Sequence, residues 1–153
     1  MQPARFLVTG GSQGIGAAIV ELACKAGHQV VFTGRNEPLI ESVARKTGAY
    51  GLHADVSASG DNARTVKACA ERMGGVDVLI NNAGYAYRGE IGALDVERMK
   101  KMFDTNVFGL VDLTNRVVPQ MKERGQGDIV NIASTSGMKG AATATAYAAS
   151  KWA

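Results

Sequence analysis

Short apolar runs alternate along this chain with longer segments in which apolar residues recur at helical spacing. Each run is four or five residues long and nearly continuous in apolar character, as expected for strands buried on both faces of a parallel sheet. Gly10, Gly34 and Asp55 follow the first three runs and predict where those strands end. The predicted strands are residues 6–9, 30–33, 50–54, 76–80 and 128–132.

The segments between the strands have the spacing of amphipathic helices. Gly27 fits the end of the first helix and Pro38 the first turn of the second. Strands that alternate with helices and right-handed crossovers predict an α/β fold, a doubly wound parallel sheet in one domain of residues 1–153. The predicted helices are residues 15–26, 38–48 and 61–73, a short and then a long helix within 95–124, and an opening helix at 145–153.

Composition and charge narrow the function classes. The chain is 46% hydrophobic and 20% charged, with a net charge of +3. It has no run of five like charges and no nucleic-acid reader motif, so nucleic-acid binding is not expected. It has no apolar run of 18 residues, so no membrane segment is expected and a cytoplasmic location is the default. Cys24 and Cys69 lie outside any metal-ligand spacing, so we expect two buried thiols and no metal site.

A glycine-rich turn joins the first predicted strand to the first predicted helix. Its spacing, Gly-x-x-x-Gly-x-Gly, lets backbone N–H groups approach a pyrophosphate at the N-terminus of the helix. No lysine follows the last glycine, which argues against a P-loop for nucleoside triphosphates. A tight turn without a ligand is the alternative. The candidate cofactor-binding residues of this turn are Gly10, Ser12, Gln13, Gly14, Ile15 and Gly16.

The end of the second predicted strand indicates the form of the cofactor. In dinucleotide-binding folds, an acidic side chain near this position binds the 2′-hydroxyl of NAD. Here Gly34 leaves room and Arg35 offers a cation instead. We therefore predict that NADP, with its 2′-phosphate, is preferred over NAD. A solvated surface arginine is the alternative interpretation of Arg35.

Tyr147 and Lys151 are four residues apart on a predicted helix, which places them on one face. A tyrosine phenol with an ordinary pKa of about 10 is a poor base at neutral pH, and a nearby ammonium group favours the phenolate. The pair is therefore a candidate general acid/base. Ser134, just after the fifth strand, is a candidate hydrogen-bond donor to a substrate oxygen. A half-buried core tyrosine beside a solvated lysine is the alternative.

Taken together, these features resemble the classical short-chain dehydrogenase/reductases, which have a Rossmann-type fold. The resemblance covers essentially the whole chain. The turn at 9–16 fits the family's Thr-Gly-x-x-x-Gly-x-Gly loop, and residues 147–151 fit its Tyr-x-x-x-Lys motif. Further matches are Asp55 and Val56 at the adenine, Asn82, Ala83 and Gly84 in an Asn-Asn-Ala-Gly motif, Asn106 as the catalytic asparagine and Ser134 as the catalytic serine.

The resemblance implies hydride transfer between NADP(H) and a carbonyl or secondary alcohol substrate. Tyr147 would pass a proton to or from the substrate oxygen, and Lys151 would assist Tyr147 and bind the nicotinamide ribose. Ser134 would orient the substrate, and Asn106 would hold a water molecule that links Lys151 to solvent. The alternative is a non-catalytic NADP-binding module that senses redox state or regulates a partner, although such a module would need none of these four residues.

The resemblance also sets expectations about substrate and assembly. Members of the family continue well past the catalytic lysine, so we expect this 153-residue chain alone to have little or no turnover. Full-length members commonly form a homodimer or homotetramer through the helices that hold Asn106 and Tyr147. A mixed apolar and polar substrate pocket is expected near Tyr85, Tyr87, Met138 and Lys139.

Overall fold

Five short parallel strands form one sheet in the computed structural model, which describes residues 3–153. Their order across the sheet is β3-β2-β1-β4-β5, so the winding reverses between β1 and β4. This is the predicted doubly wound topology, and it confirms the fold class. The strands are β1 (Arg5–Val8), β2 (Gln29–Gly34), β3 (Tyr50–His53), β4 (Val78–Asn81) and β5 (Asp128–Asn131).

Helices connect the strands and cover the sheet. Asn36 caps the second helix by accepting a hydrogen bond from the backbone N–H of Leu39 at 3.1 Å, and Gly48 ends it with φ +75°. In the described part of the chain the α-helices are α1 (Gly14–Lys25), α2 (Glu37–Thr47), α3 (Ser59–Met73), α4 (Val96–Phe103), α5 (Leu110–Arg124) and α6 (Thr145–Trp152).

The boundary between α4 and α5 differs from the prediction. A short helix followed by a separate long one was expected, but a π-helical turn (Asp104–Gly109) joins α4 to α5. Phe103 and Leu110, at the two junctions, both have right-handed helical backbone angles. The whole segment is therefore one helical run, and its π turn contributes the buried side chain of Asn106.

Apolar side chains cover both faces of the sheet at β1, β2 and β4, as the continuous apolar strands predict, but all four residues of the edge strand β5 are exposed, so the expectation of burial is wrong for that strand. Each fully buried Leu or Val contributes about 1.5–3 kcal/mol to folding. One cluster joins the sheet to α3 and α5, and its members include Leu7, Val31, Leu79, Cys69, Leu113 and Val117. The other joins the sheet to α1 and α2 and includes Val8, Phe32, Ile80, Val20 and Ile40.

The two cysteines differ in burial. Cys69 lies within the core, as predicted, and this burial raises the pKa of its thiol to about 12. Cys24 is half-buried, so the expectation of two buried thiols is wrong for that residue. Residues 3–153 contain no cluster of three or more His, Cys, Asp or Glu side chains arranged to hold a metal ion. Among the helices within the same residues, none is both long and apolar enough to cross a membrane.

Candidate functional site

A cleft of about 540 Å³ opens at the carboxyl ends of the central strands, where the winding of the sheet reverses. This is the position at which doubly wound sheets bind ligands. Most of the predicted site residues line it: Gly10, Ser12, Gln13, Gly14, Ile15, Arg35, Asp55, Val56, Asn82, Ala83, Gly84, Tyr147 and Lys151. Gly16, Asn106 and Ser134 lie outside the cleft lining.

The glycine-rich loop needs its glycines for conformation and for close packing. Gly10 has φ +64° and Gly14 has φ +56°, both in the left-handed region that side chains disfavour. A Cβ on Gly16 would overlap the carbonyl oxygen of Gly10 and would lie 2.5 Å from Nδ2 of Asn82. The role of Gly16 is therefore to let α1 pack against the loop, which explains its absence from the cleft surface.

The start of α1 fits a dinucleotide pyrophosphate. The first N–H groups of an α-helix lack acceptors within the helix, and the N-cap residue Gln13 makes no side-chain capping bond to them. These groups and the positive end of the helix dipole favour an anion. Because Gly10 and Gly14 have no side chains, the backbone of the loop can also approach a phosphate closely.

Asn82 and Thr9 hold this loop against the segment that follows β4. Nδ2 of Asn82 donates to the carbonyl oxygens of Thr9 and Gly10 at 2.9 and 3.1 Å. In return, Oγ1 of Thr9 accepts from the backbone N–H groups of Asn82 and Ala83, each at 3.0 Å. The side chain of Asn82 therefore shapes the loop, and Thr9, which was not singled out as a site residue, has an equal part in this arrangement.

Arg35 and Asp55 meet at the end of the cleft formed by β2 and β3. Nη1 of Arg35 lies 3.4 Å from Oδ2 of Asp55, and the arginine side chain is 62% exposed. Partial burial tends to raise the pKa of Asp55, but hydrogen bonds from Ser57 and the charge of Arg35 outweigh it and lower that pKa. Asp55 is therefore ionised at neutral pH, and Arg35 faces the cleft already paired with a carboxylate.

The part of the cleft opposite Arg35 and Asp55 is lined by Tyr147 and Lys151 of α6. Nζ of Lys151 donates to the carbonyl oxygen of Ile132 at 2.9 Å. This bond uses one of three ammonium protons, so two remain for other acceptors. Ser134 follows β5, and its Oγ accepts from the N–H of Ser136 at 3.2 Å. That bond uses an acceptor site of the hydroxyl and leaves its proton free to donate.

Asn106 lies behind the cleft rather than on its surface. Its Oδ1 accepts from the N–H of Tyr85, and its Nδ2 donates to the Tyr85 carbonyl, both at 3.0 Å. The second Nδ2 proton goes to Oγ of Ser150 at 2.9 Å. Both side-chain protons are therefore used, so a water molecule held by Asn106 must donate to its main-chain carbonyl or to the remaining lone pair of Oδ1.

The residues expected around a substrate pocket divide into two groups. Tyr85 lines the cleft, and Met138 is exposed. Tyr87 is 7% exposed and packs with Met102 and Ala146 in a separate apolar cluster. Its hydroxyl accepts a hydrogen bond from the N–H of Asp95 at 2.9 Å. The expectation that Tyr87 lines the pocket is therefore wrong, because its ring is a core element.

Residues 4–153 match the family described as short chain dehydrogenase. The matched residues include all five strands, the residues that line the cleft and the motifs described above. The chain is a member of the short chain dehydrogenase family. Proteins of this family bind NAD or NADP.

Two similar proteins of known structure have the same fold as this chain. A short-chain dehydrogenase from Streptomyces avermitilis is 34% identical, with a TM-score of 0.94 over 99% of this chain and 57% of its own. A variant of actinorhodin polyketide ketoreductase, solved with NADPH, is 38% identical, with a TM-score of 0.94 over 98% of this chain and 60% of its own.

Curated relatives extend the comparison. Ketoacyl reductase HetN from Nostoc is 35% identical over 150 residues, which are 95% of this chain and 52% of the relative. An oxidoreductase from Botryotinia fuckeliana, BOA17, is 32% identical over 151 residues, which are 97% of this chain and 55% of the relative. This chain therefore spans about half the length of these relatives.

Proposed function

We propose that the protein is an NADP(H)-dependent oxidoreductase that interconverts a carbonyl group and a secondary alcohol. The observation that carries the proposal is the shared cleft, in which Tyr147 and Lys151 lie on the same surface as the glycine-rich loop. A general acid/base beside a dinucleotide site is what this reaction requires. Its relatives include a ketoacyl reductase and a polyketide ketoreductase solved with NADPH, which supports the same class of reaction.

Four side chains have distinct parts in this proposal. Tyr147 gives a proton to the substrate oxygen during reduction and takes it back during oxidation. Lys151 keeps two N–H groups free beyond its bond to Ile132, one for the nicotinamide ribose and one toward the phenol. Ser134 donates its free proton to the substrate oxygen, and Asn106 holds the water molecule that supplies protons to Lys151. The bound cofactor supplies or accepts the hydride.

Arg35 accounts for the proposed choice of NADP over NAD. Its exposed guanidinium stands at the end of β2, where dinucleotide folds bind the adenosine ribose. A 2′-phosphate offers a stronger acceptor than the Asp55 carboxylate, with up to two negative charges. When NADP binds, Arg35 therefore leaves its ion pair with Asp55 and forms a new one with the 2′-phosphate.

We also propose assembly into a homodimer or homotetramer in the full-length protein. Phe108 and Val111 are 62% and 48% exposed on the helical run that contains Asn106. Exposed apolar side chains on one helical segment are common at interfaces between subunits. Light scattering of the intact protein tests this, and a monomer at micromolar concentration would contradict it.

Replacement of Tyr147 by Phe in the intact protein tests the reaction. We expect ketone-dependent oxidation of NADPH to fall by at least about 100-fold, because general acid catalysis contributes that much or more. NADPH affinity should change little, since the ring remains. Tyr50→Phe in β3 is the matched control, because Tyr50 lies at the other end of the sheet, outside the cleft, and it should retain normal turnover.

The outcomes separate the two candidate functions. A Tyr147→Phe protein with a normal rate would refute the role assigned to Tyr147. A wild-type protein that binds NADPH tightly but reduces no ketone or aldehyde in a broad panel would favour the non-catalytic binding module.

A further inference from the structure

Ser150 is a buried hydroxyl in α6, between Tyr147 and Lys151 along the chain. It is 4% exposed. Its O–H donates to the carbonyl oxygen of Tyr147 at 2.8 Å, and its Oγ accepts from Nδ2 of Asn106 at 2.9 Å. Buried hydroxyls that both donate and accept fix the groups around them, because an unpaired partner is costly in an apolar environment.

The Asn106 amide connects Ser150 to a second part of the site. The other face of that amide is bound to the N–H and the carbonyl oxygen of Tyr85, directly after the Asn-Asn-Ala-Gly segment that holds the glycine-rich loop. A chain of hydrogen bonds therefore runs from the loop side of the cleft, through the π turn, into α6. Ser150 is the point at which it enters α6.

The length of α6 makes this link important. The helix has eight residues, and helices of that length are marginal unless tertiary contacts hold them. Each residue turns an α-helix by about 100°, so the inward direction of Ser150 fixes where its neighbours project. Lys151 has one further anchor, its bond to Ile132. These two anchors fix the rotation of α6 about its axis together with its buried alanines and the packing of Tyr147 against Tyr87 and Met102.

We propose that Ser150 is a positioning residue for the reaction. Its hydroxyl holds α6 at the rotation that presents Tyr147 and Lys151 together to the cleft. It acts through these residues and through Asn106, not on the substrate. The inference rests on the proposed function, in which Tyr147 and Lys151 carry the proton transfer.

The decisive variant is Ser150→Ala in the intact protein, because it removes the hydroxyl and little volume. We expect kcat to fall by about 10–100-fold, since displacements near 1 Å at reacting groups cost up to about 100-fold. KM should stay near the wild-type value, and NADPH affinity should fall by much less than kcat, because Lys151 is only one of several groups that contact the cofactor. The pH profile of kcat should shift, because the relation of the phenol to the ammonium changes. Amide hydrogen exchange of α6 in the protein without cofactor should accelerate, and this readout does not depend on turnover.

Thr65→Val is the matched control. Thr65 is also buried, and its hydroxyl donates to a carbonyl one turn earlier in its own helix, at 2.8 Å to Asp61. It touches neither Asn106 nor the cleft. A merely structural loss should therefore appear in Thr65→Val as lower stability, with an unchanged pH profile. Ser150→Thr keeps the hydroxyl and should recover most of the rate and the original profile.

The outcomes distinguish this inference from the proposed function. A Ser150→Ala protein with wild-type kcat, pH profile and hydrogen exchange would overturn the positioning role of Ser150. If Tyr147→Phe were inactive in the same experiments, the assignment of the reaction would still stand. An active Tyr147→Phe protein would overturn both. If Ser150→Ala does not fold, Ser150→Cys, with a weaker hydrogen bond, should show a smaller shift in the same direction. A wild-type profile in that variant would overturn the inference.

Discussion

Replacement of Arg35 by Gln should weaken NADPH binding selectively. The guanidinium stands at the end of the cleft that we propose binds the adenosine ribose, and it lies 3.4 Å from Asp55. Gln keeps most of the length and polarity of the side chain but removes the charge. NADH lacks the 2′-phosphate, so its affinity should stay within about twofold of the wild-type value, which is under about 0.5 kcal/mol. The ratio of the two affinities is therefore the quantity to measure.

The size of the effect follows from the exchange of ion pairs. A hydrogen bond between charged groups contributes about 1.5–3 kcal/mol, but Arg35 is 62% exposed and solvent reduces that value. The ion pair between Arg35 and Asp55 is also exposed and contributes at most about 1 kcal/mol. This contribution is lost when NADPH binds. About 1–2 kcal/mol remains, which corresponds to a roughly 5–30-fold loss of NADPH affinity.

The assay is a titration of both cofactors by nucleotide fluorescence at low and at high ionic strength. The 5–30-fold selectivity should shrink as salt screens the exposed charge. Lys46→Gln is the control, because Lys46 is 66% exposed and paired with Glu21 away from the cleft. Equal losses for NADPH and NADH would show that Arg35 acts on the part of the cofactor common to both. No loss for either would mean that Arg35 is a solvated surface residue.

Three further predictions concern the loop, the acid stability and the buried thiol. Gly16→Ala should abolish NADPH binding in fluorescence titration, because its Cβ meets the loop backbone, whereas Gly60→Ala, with open space around its Cβ, should not. Hydrogen bonds from Arg5 lower the pKa of Asp77, so Asp77→Asn should destabilise the protein by about 1–2 kcal/mol at pH 7. This difference should begin to shrink in denaturant melts as pH falls below about 4, where the unfolded carboxyl becomes protonated, and should disappear below the lowered pKa of native Asp77; a pH-independent difference would contradict it. Cys69, with a thiol pKa of about 12, should resist a thiol reagent until the protein is unfolded, and rapid labelling of the native protein would contradict its burial.

Most strands and helices follow from the apolar pattern, and the shift in the start of β4 is accompanied by contacts between residues far apart in the chain. The fourth strand was predicted to begin at Val76 but begins at Val78. The N–H of Val76 bonds to the side chain of Gln120 at 3.1 Å instead of to a neighbouring strand. The carboxylate of Asp77 binds the Arg5 guanidinium at 2.8 Å. Such contacts join residues far apart in the chain, and periodicity carries no information about them.

The candidate site likewise contains residues that the sequence identifies and contacts that it does not. Motif spacing identified most of the residues that line the cleft, because their order along the chain is itself the signal, but it missed others such as Thr105 and Ile132. The pairing of Arg35 with Asp55 was missed, since it depends on the register that sets Gly34 beside His53 across two strands. Ser150 was missed because a small residue in a run of alanines gives no signal of its own. Its position directly before Lys151 was the available indication.

The π turn makes the number of residues in the central helical run as important as their identity. Met102 before the turn and Leu113 after it are both buried. If residues 104–109 kept their number but adopted regular α-helical winding, everything after them would rotate by about 100° relative to α4. Either Met102 or Leu113 would then leave its cluster, and the Asn106 amide would turn away from Tyr85. The extra residue in the π turn therefore keeps the hydrophobic core and the candidate active site in register, and insertion of a further residue would separate them.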